Sequence, residues 1–145
     1  MRIAFGADHA GWELKEKLKA HAATKGHDIL DLGTHSADSV DYPDFGRAVG
    51  EAVTGGRADR GVAVCGTGIG IAIAANKVAG VRAGTPNDLF AVRLMREHND
   101  ANVIAFGARL TAAPLAEAML DLFLSTPFAG GRHERRVKKL DGDPS

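Results

Sequence analysis

The stretch VAVCGTGIGIAIAANK, residues 62–77, decides how the rest of the chain is read. It runs from an apolar segment through the sole cysteine into three alternating glycines, and then into an alanine-rich segment. That order describes a buried strand, a tight turn and the start of a helix. The spacing excludes three familiar loops. A dinucleotide fingerprint needs a third glycine where Ile71 stands. A Walker A loop needs a lysine followed by Ser or Thr, which GIAIA does not offer. A cysteine phosphatase loop needs an arginine six residues after the nucleophile, again Ile71. What survives is a helix N-terminus whose free N–H groups and dipole stabilise negative charge, here on a ligand or on a Cys65 thiolate. Thr67 adds a hydroxyl. Against this stands the plainer reading of Cys65 as a small buried hydrophobe ending a central strand.

Outward from this unit the pattern repeats. RIAFGAD (2–8) reads as a strand and AGWELKEKLKAHAATKG (10–26) as a helix, with Ala10, Leu14, Leu18 and Ala22 on one face and Glu13 placed to pair with Lys17. HDILDLG, GVAVCG, GVRAGT and NVIAFG read as further strands. Helices follow at YPDFGRAVGEAVTGG, after the glycine turn, at PNDLFAVRLMREHND, in a segment placing Leu115, Met119, Leu122 and Phe123 on one face, and in the basic tail GGRHERRVKKL. Five strands without a wet face, alternating with helices, predict a doubly wound parallel α/β sheet of order 2-1-3-4-5, covered on both sides, the Rossmann-like fold that the family resemblance given below also implies. Ligands of such sheets bind at the carboxyl ends of the strands. The segments GADHAG, CGTGIG, REHND and AFGARL are therefore expected to gather round one crevice.

With 145 residues the chain reads as one domain, residues 1–145. Eighteen basic residues balance eighteen acidic ones, so neither nucleic acid nor an anionic membrane is an expected partner. One cysteine forms no intrachain disulfide, and no apolar run approaches the roughly 20 residues of a membrane helix. These features are expected of a soluble cytoplasmic protein. A metal held by His9, His98 and Cys65 is conceivable, but no paired H-x-x-x-H or C-x-x-C spacing supports it.

Taken together, GADHAG, DYPDF, CGTGIGIAIAANK, REHNDANVIAFGAR and GGRHERRV resemble the sugar-phosphate isomerase family that contains ribose 5-phosphate isomerase type B and galactose 6-phosphate isomerase, over nearly the whole chain. The resemblance implies a cofactor-free aldose–ketose isomerase working through an enediolate, with no metal and with a homodimer or dimer of dimers as its assembly. Ribose 5-phosphate is the expected substrate, with allose 6-phosphate, galactose 6-phosphate and tetrose phosphates as rivals. In one branch of the family a glutamate just after the last loop glycine is the base. Here that position is Ile71, which leaves Cys65 as the group that moves a proton from C2 to C1. Thr67 and the backbone of Gly66, Gly68, Ile69 and Gly70 would hold the enediolate oxygen. By the same resemblance His98 opens the furanose ring, Asp8 and Asn99 meet ring and hydroxyl oxygens, and His9, Tyr42, Arg109, Arg132 and Arg136 line the remaining sugar and phosphate positions. The tail would reach across a two-fold axis into the partner's crevice. The chain departs from the family's small or apolar run after the fourth strand, reading RAGTPND (82–88). That places Gly84, Thr85 and Pro86 where the strand is expected to meet the crevice. Rival classes are a non-catalytic phosphate-binding module and a flavin-binding domain of the same architecture.

Overall fold

A computed structural model describes residues 1–143. Its elements run β1 (Arg2–Ala7), α1 (Trp12–Thr24), β2 (Asp28–Asp31), α2 (Tyr42–Thr54), β3 (Arg60–Cys65), α3 (Ile69–Asn76), β4 (Ala83–Gly84), α4 (Leu89–Glu97), β5 (Val103–Gly107), α5 (Ala113–Ser125) and α6 (Arg132–Leu140). All strand pairs are parallel, and helices cover both faces, as expected for this composition.

The strand order is β2-β1-β3-β5-β4, which corrects the expected 2-1-3-4-5 by exchanging the last two strands. The reason lies in the two sequences. VIAFG is buried at all five positions and is suited to a place between two strands. GVRAGT contributes only Ala83 and Gly84 to the sheet, both half-buried, and carries an arginine just before them. So short and polar a segment fits at an edge. There the Asn76 amide does what a sixth strand would do: it accepts from the Ala83 N–H at 2.8 Å and donates to the Ala83 carbonyl at 3.0 Å. The exchange also moves Gly84, Thr85 and Pro86. Gly84 pairs with Ile104, three residues short of Gly107, so this segment lies on the outer edge and not beside Cys65.

The two faces differ in side-chain size. Ile3, Phe5, Val62, Val64, Ile104 and Phe106 point toward α1, α4 and α5, where Leu14, Leu18, Met119 and Phe123 meet them. Each such side chain stabilises the fold by about 1.5–3 kcal/mol through burial. Ala4, Ala63, Cys65, Val103 and Ala105 point the other way, toward α2 and α3. Small residues there let α2 come close to α3. A Cβ on Gly46 would sit 2.5 Å from the Ile71 carbonyl oxygen, which explains a helix-interior glycine that propensity alone disfavours.

Two local expectations change. The buried face of α5 is Ala116, Met119, Leu120 and Phe123: of the predicted face, Met119 and Phe123 are buried and Leu122 packs half-buried against the same core, while Leu115 is exposed at the edge of the stripe and Ala116 and Leu120 fill it instead. In α1 the ion pairs come not from Glu13 and Lys17 but from Lys15 and Lys19. Lys15 is fully buried and donates to Asp31 at 2.7 Å and to the Thr34 carbonyl at 2.8 Å, while Lys19 binds Asp31 and Glu16. Burial opposes the Asp31 charge, but the hydrogen bonds from Lys15, Lys19 and the Gly33 N–H outweigh it and bring its pKa down to about 2.

Candidate active site

At the carboxyl end of β3 the chain turns through Gly66, Thr67 and Gly68 into α3. Gly68 takes φ +79°, a conformation that favours glycine, and a Cβ there would collide with the backbone of Phe106 and Gly107. The turn folds the chain back so that the Gly68 N–H donates to Cys65 Sγ at 3.1 Å. Cys65 is 4% exposed, at the head of α3, whose first-turn amides have no acceptor within the helix. Thr67 Oγ1 faces the Ile69 N–H at 3.3 Å.

Three other elements wall this loop. Asp8, at the end of β1 and 6% exposed, accepts from the Gly11 N–H at 3.0 Å. Arg109, just past β5, donates its N–H to the Gly66 carbonyl at 3.0 Å and lays its guanidinium over Gly66. Tyr42, the first residue of α2, packs its ring on Gly70, so closely that a Cβ there would be 2.7 Å from it. Together they enclose a cleft of about 470 Å³ with Cys65 at its base. His9, beside Asp8, accepts from the Val40 N–H at 3.2 Å through Nδ1 and faces the β2–α2 loop.

His98, Asn99, Arg132 and Arg136 lie elsewhere, which corrects the expectation that REHND joins the carboxyl-end crevice. Helix α4 runs back against the strands, so its C-cap, His98, emerges at the amino end of the sheet. Gly107 pairs with Cys65 and Val103 with Gly61. Four strand steps, about 13 Å at ~3.3 Å each, therefore separate the two levels before the chain even turns toward His98. Within one chain His9, His98 and Cys65 cannot share a metal, and among the described residues no three His, Cys, Asp or Glu side chains converge to hold one.

At this amino end a second cluster forms. The His98 and His133 rings stack with centroids 4.2 Å apart and planes 12° from parallel. His133 is 8% exposed, while Arg132 and Arg136 are exposed on the same helix. Desolvation, then the neighbouring His98 and the charges of Arg132 and Arg136, hold His133 below the usual histidine pKa. Asn99 is exposed and lines a separate recess of about 370 Å³ against Arg82, Met95 and Leu140.

Several residues of this cluster carry no obvious signal in the sequence. Arg82 donates from Nη2 to Asp100 at 3.2 Å and from Nη1 to Asp141 at 2.9 Å, and Arg96, 2% exposed, donates to Asp100 from the other side at 2.9 Å. The one visible hint was an arginine inside the otherwise apolar run GVRAGT. No helix among the described residues is long and apolar enough to cross a membrane.

The comparisons with known proteins agree with this fold. Residues 3–140 match the family model described as Ribose/Galactose Isomerase. The chain is 45% identical to the Ribose-5-phosphate isomerase B of Escherichia coli over 96% of this chain and 93% of that one. It is 40% identical to the Galactose-6-phosphate isomerase subunit LacB of Clostridium acetobutylicum, over 96% of this chain and 80% of the other. Among solved structures, the Ribose-5-Phosphate Isomerase B of Clostridium thermocellum superposes with a TM-score of 0.97 at 47% identity, over 98% of this chain and 96% of that one. A match from β1 to the end of α6, which takes in both the cysteine loop and the histidine–arginine cluster, makes this chain a member of the ribose/galactose isomerase family.

Proposed function

We propose that the chain interconverts ribose 5-phosphate and ribulose 5-phosphate, with Cys65 as the proton-transfer base. The observation that carries this reading is the Gly68 N–H on Cys65 Sγ at the base of a cleft walled by Asp8, Tyr42 and Arg109. The names of the similar proteins from Escherichia coli and Clostridium thermocellum support the substrate. The sulfur takes the C2 proton of the open-chain aldose and returns it to C1, while the O2 proton passes to O1. Nothing is gained or lost, so the step needs no oxidant or reductant. Amides of the Gly66–Gly70 turn, with Thr67, hold the oxygen that becomes anionic in the enediolate. Asp8 accepts from sugar hydroxyls, Tyr42 closes one side of the cleft, and His9 stands beside Asp8 outside the cleft lining, where it holds the β2–α2 loop through the Val40 N–H.

His98, Asn99, Arg132 and Arg136 complete the site from a second copy of the chain. His98 opens the furanose ring, Asn99 binds a hydroxyl, and the arginines clamp the phosphate with paired N–H donors beside Arg109. Ile69 and Ile73, one turn apart on α3 and 55% and 56% exposed beside the cleft, offer the apolar surface such a copy would cover. Each two-fold dimer then holds two sites, both built from two chains.

Turnover of ribose 5-phosphate by the purified protein, read as ribulose 5-phosphate formed, tests the reaction; absence of turnover would refute it. The 40% identity to a galactose-6-phosphate isomerase subunit favours one rival substrate, so galactose 6-phosphate belongs in the same assay. The shared site is tested by mixing Cys65→Ala protein with the double variant Arg132→Ala, Arg136→Ala. Subunit exchange is expected to restore activity to about a quarter of the wild-type level, since half of the dimers are mixed and each has one intact site. Mixed dimers without activity would refute it.

A further inference from the structure

We propose that Arg82 is a positioning residue that ties the His98–Asn99 turn to the tail helix and so sets the geometry of the amino-end half of the site. The proposal rests on the reading that His98, Arg132 and Arg136 act on the substrate.

The Arg82 side chain, 16% exposed at the foot of edge strand β4, spends its donors on two separate elements. Toward the turn, Nε donates to the Asp100 carbonyl at 2.9 Å and Nη2 to the Asp100 carboxylate at 3.2 Å. Toward the tail, Nη1 donates to both carboxylate oxygens of Asp141 at 3.0 and 2.9 Å. Its backbone N–H adds a bond to Asn102 Oδ1 at 2.8 Å.

Both elements need such a hold. Asp100 has φ +46°, the one positive φ among the described residues other than glycine, and a backbone in that region persists only where its surroundings impose it. Arg82 and Arg96 grip its carboxylate from two sides, directly after His98 and Asn99. Helix α6 buries only His133 and Val137. It is fixed near its start by the His133–His98 stack and just past its end by Arg82 on its C-cap, Asp141. Arg136 projects from the span between these two anchors, and Arg132 from the residue just before the first of them. A planar guanidinium can bridge two carboxylates and a carbonyl at once, and a lysine ammonium in the same place cannot span them.

The test uses Arg82→Lys, with Asp141→Asn as a second variant that cuts only the tail arm. Arg82→Lys is expected to lower kcat/KM by about 10-fold to 100-fold, the scale on which a misplaced catalytic group costs rate. Asp141→Asn is expected to act mainly on KM, through the arginines that bind phosphate. Complementation separates positioning from general damage. Mixed with Cys65→Ala, the Arg82→Lys protein should gain activity, because one site then pairs an intact Cys65 half with an intact amino-end half. Mixed with the Arg132→Ala, Arg136→Ala protein it should gain none. Gain in the second mixture, or in neither while Cys65→Ala and the double arginine variant do complement each other, would overturn the assignment.

One readout does not depend on the dimer. The stacked His98 and His133 rings shift each other's NMR ring-proton resonances, and in Arg82→Lys these should move toward the values of unstacked histidine while the Gly68 amide resonance stays in place. Unmoved histidine resonances would refute the proposal. If Cys65→Ala and the double arginine variant themselves fail to complement, the shared-site reading falls on its own, and the ring shifts still decide the role of Arg82.

Discussion

The Lys15 ammonium, fully buried, lies 2.7 Å from the Asp31 carboxylate and ties α1 to the end of β2. It also donates to the Thr34 carbonyl, so it holds the start of the β2–α2 loop that reaches His9 and Tyr42. Removing the anion would leave a buried cation short of its partner. Asp31→Asn is expected to cost about 3 kcal/mol in chemical denaturation at pH 7. Because folding lowers the Asp31 pKa from 3.8 to about 2, its contribution is complete above pH 4 and is lost as the pH falls toward 2. Equal acid sensitivity of the variant and the wild type over pH 4 to 2 would contradict this.

His133 has the opposite consequence for pH. Its pKa in the folded chain lies below the ordinary 6.5, so the unfolded chain binds the proton more readily. Above pH 6.5 both states are neutral and the group contributes nothing; as the pH falls below 6.5 it costs stability. The melting temperature of the wild type should therefore fall more steeply between pH 7 and 5 than that of His133→Gln. Parallel curves would sink this assignment.

Loss of the thiol tests the base directly. Cys65→Ala is expected to lower kcat by about 10³-fold with KM within a few fold, since general base catalysis typically contributes 10²–10⁴ and acts on the transition state. Near-normal turnover would return Cys65 to the role of a buried core residue.

Gly70 carries the Tyr42 ring. A Cβ there would stand 2.7 Å from the ring, and Tyr42, 43% exposed, can swing away at little cost to the fold. Gly70→Ala is thus expected to raise KM several-fold while the melting temperature stays within a few degrees. Steady-state kinetics beside a thermal melt check this, and an unchanged KM would remove Tyr42 from the substrate.

At the α2–α3 contact the constraint is backbone against backbone. Gly46→Ala brings a methyl to 2.5 Å from the Ile71 carbonyl oxygen, which cannot rotate away. A loss of about 1–3 kcal/mol is expected, as for other overpacked interiors, and a denaturant titration measures it.

The sequence by itself determined the class of fold, because apolar runs such as RIAFGA and VIAFG have no polar face to leave in water, and helical periodicity separates them. It also singled out Cys65 and its glycine turn, since all of that chemistry lies within one strand–turn–helix unit. The family resemblance supplied the remaining site residues as names without positions. Tertiary structure alone decided the order of the last two strands, which depends on how much of GVRAGT pairs with β5, a property of both strands together. The place of His98 at the amino end, by contrast, already follows from the sequence, because REHND runs straight into NVIAFG and the segment that enters a strand of a parallel sheet lies at its amino edge. Lys15 with Asp31, and Arg82 with Asp100 and Asp141, were as hidden as the strand order. Their partners are 16, 18 and 59 residues away along the chain, and periodicity reads only neighbours. The tail shows both sides of the division: Arg132 and Arg136 share a helix face by their spacing, while the anchors that aim that face, His98 and Arg82, come from α4 and β4 and exist only once the chain has folded.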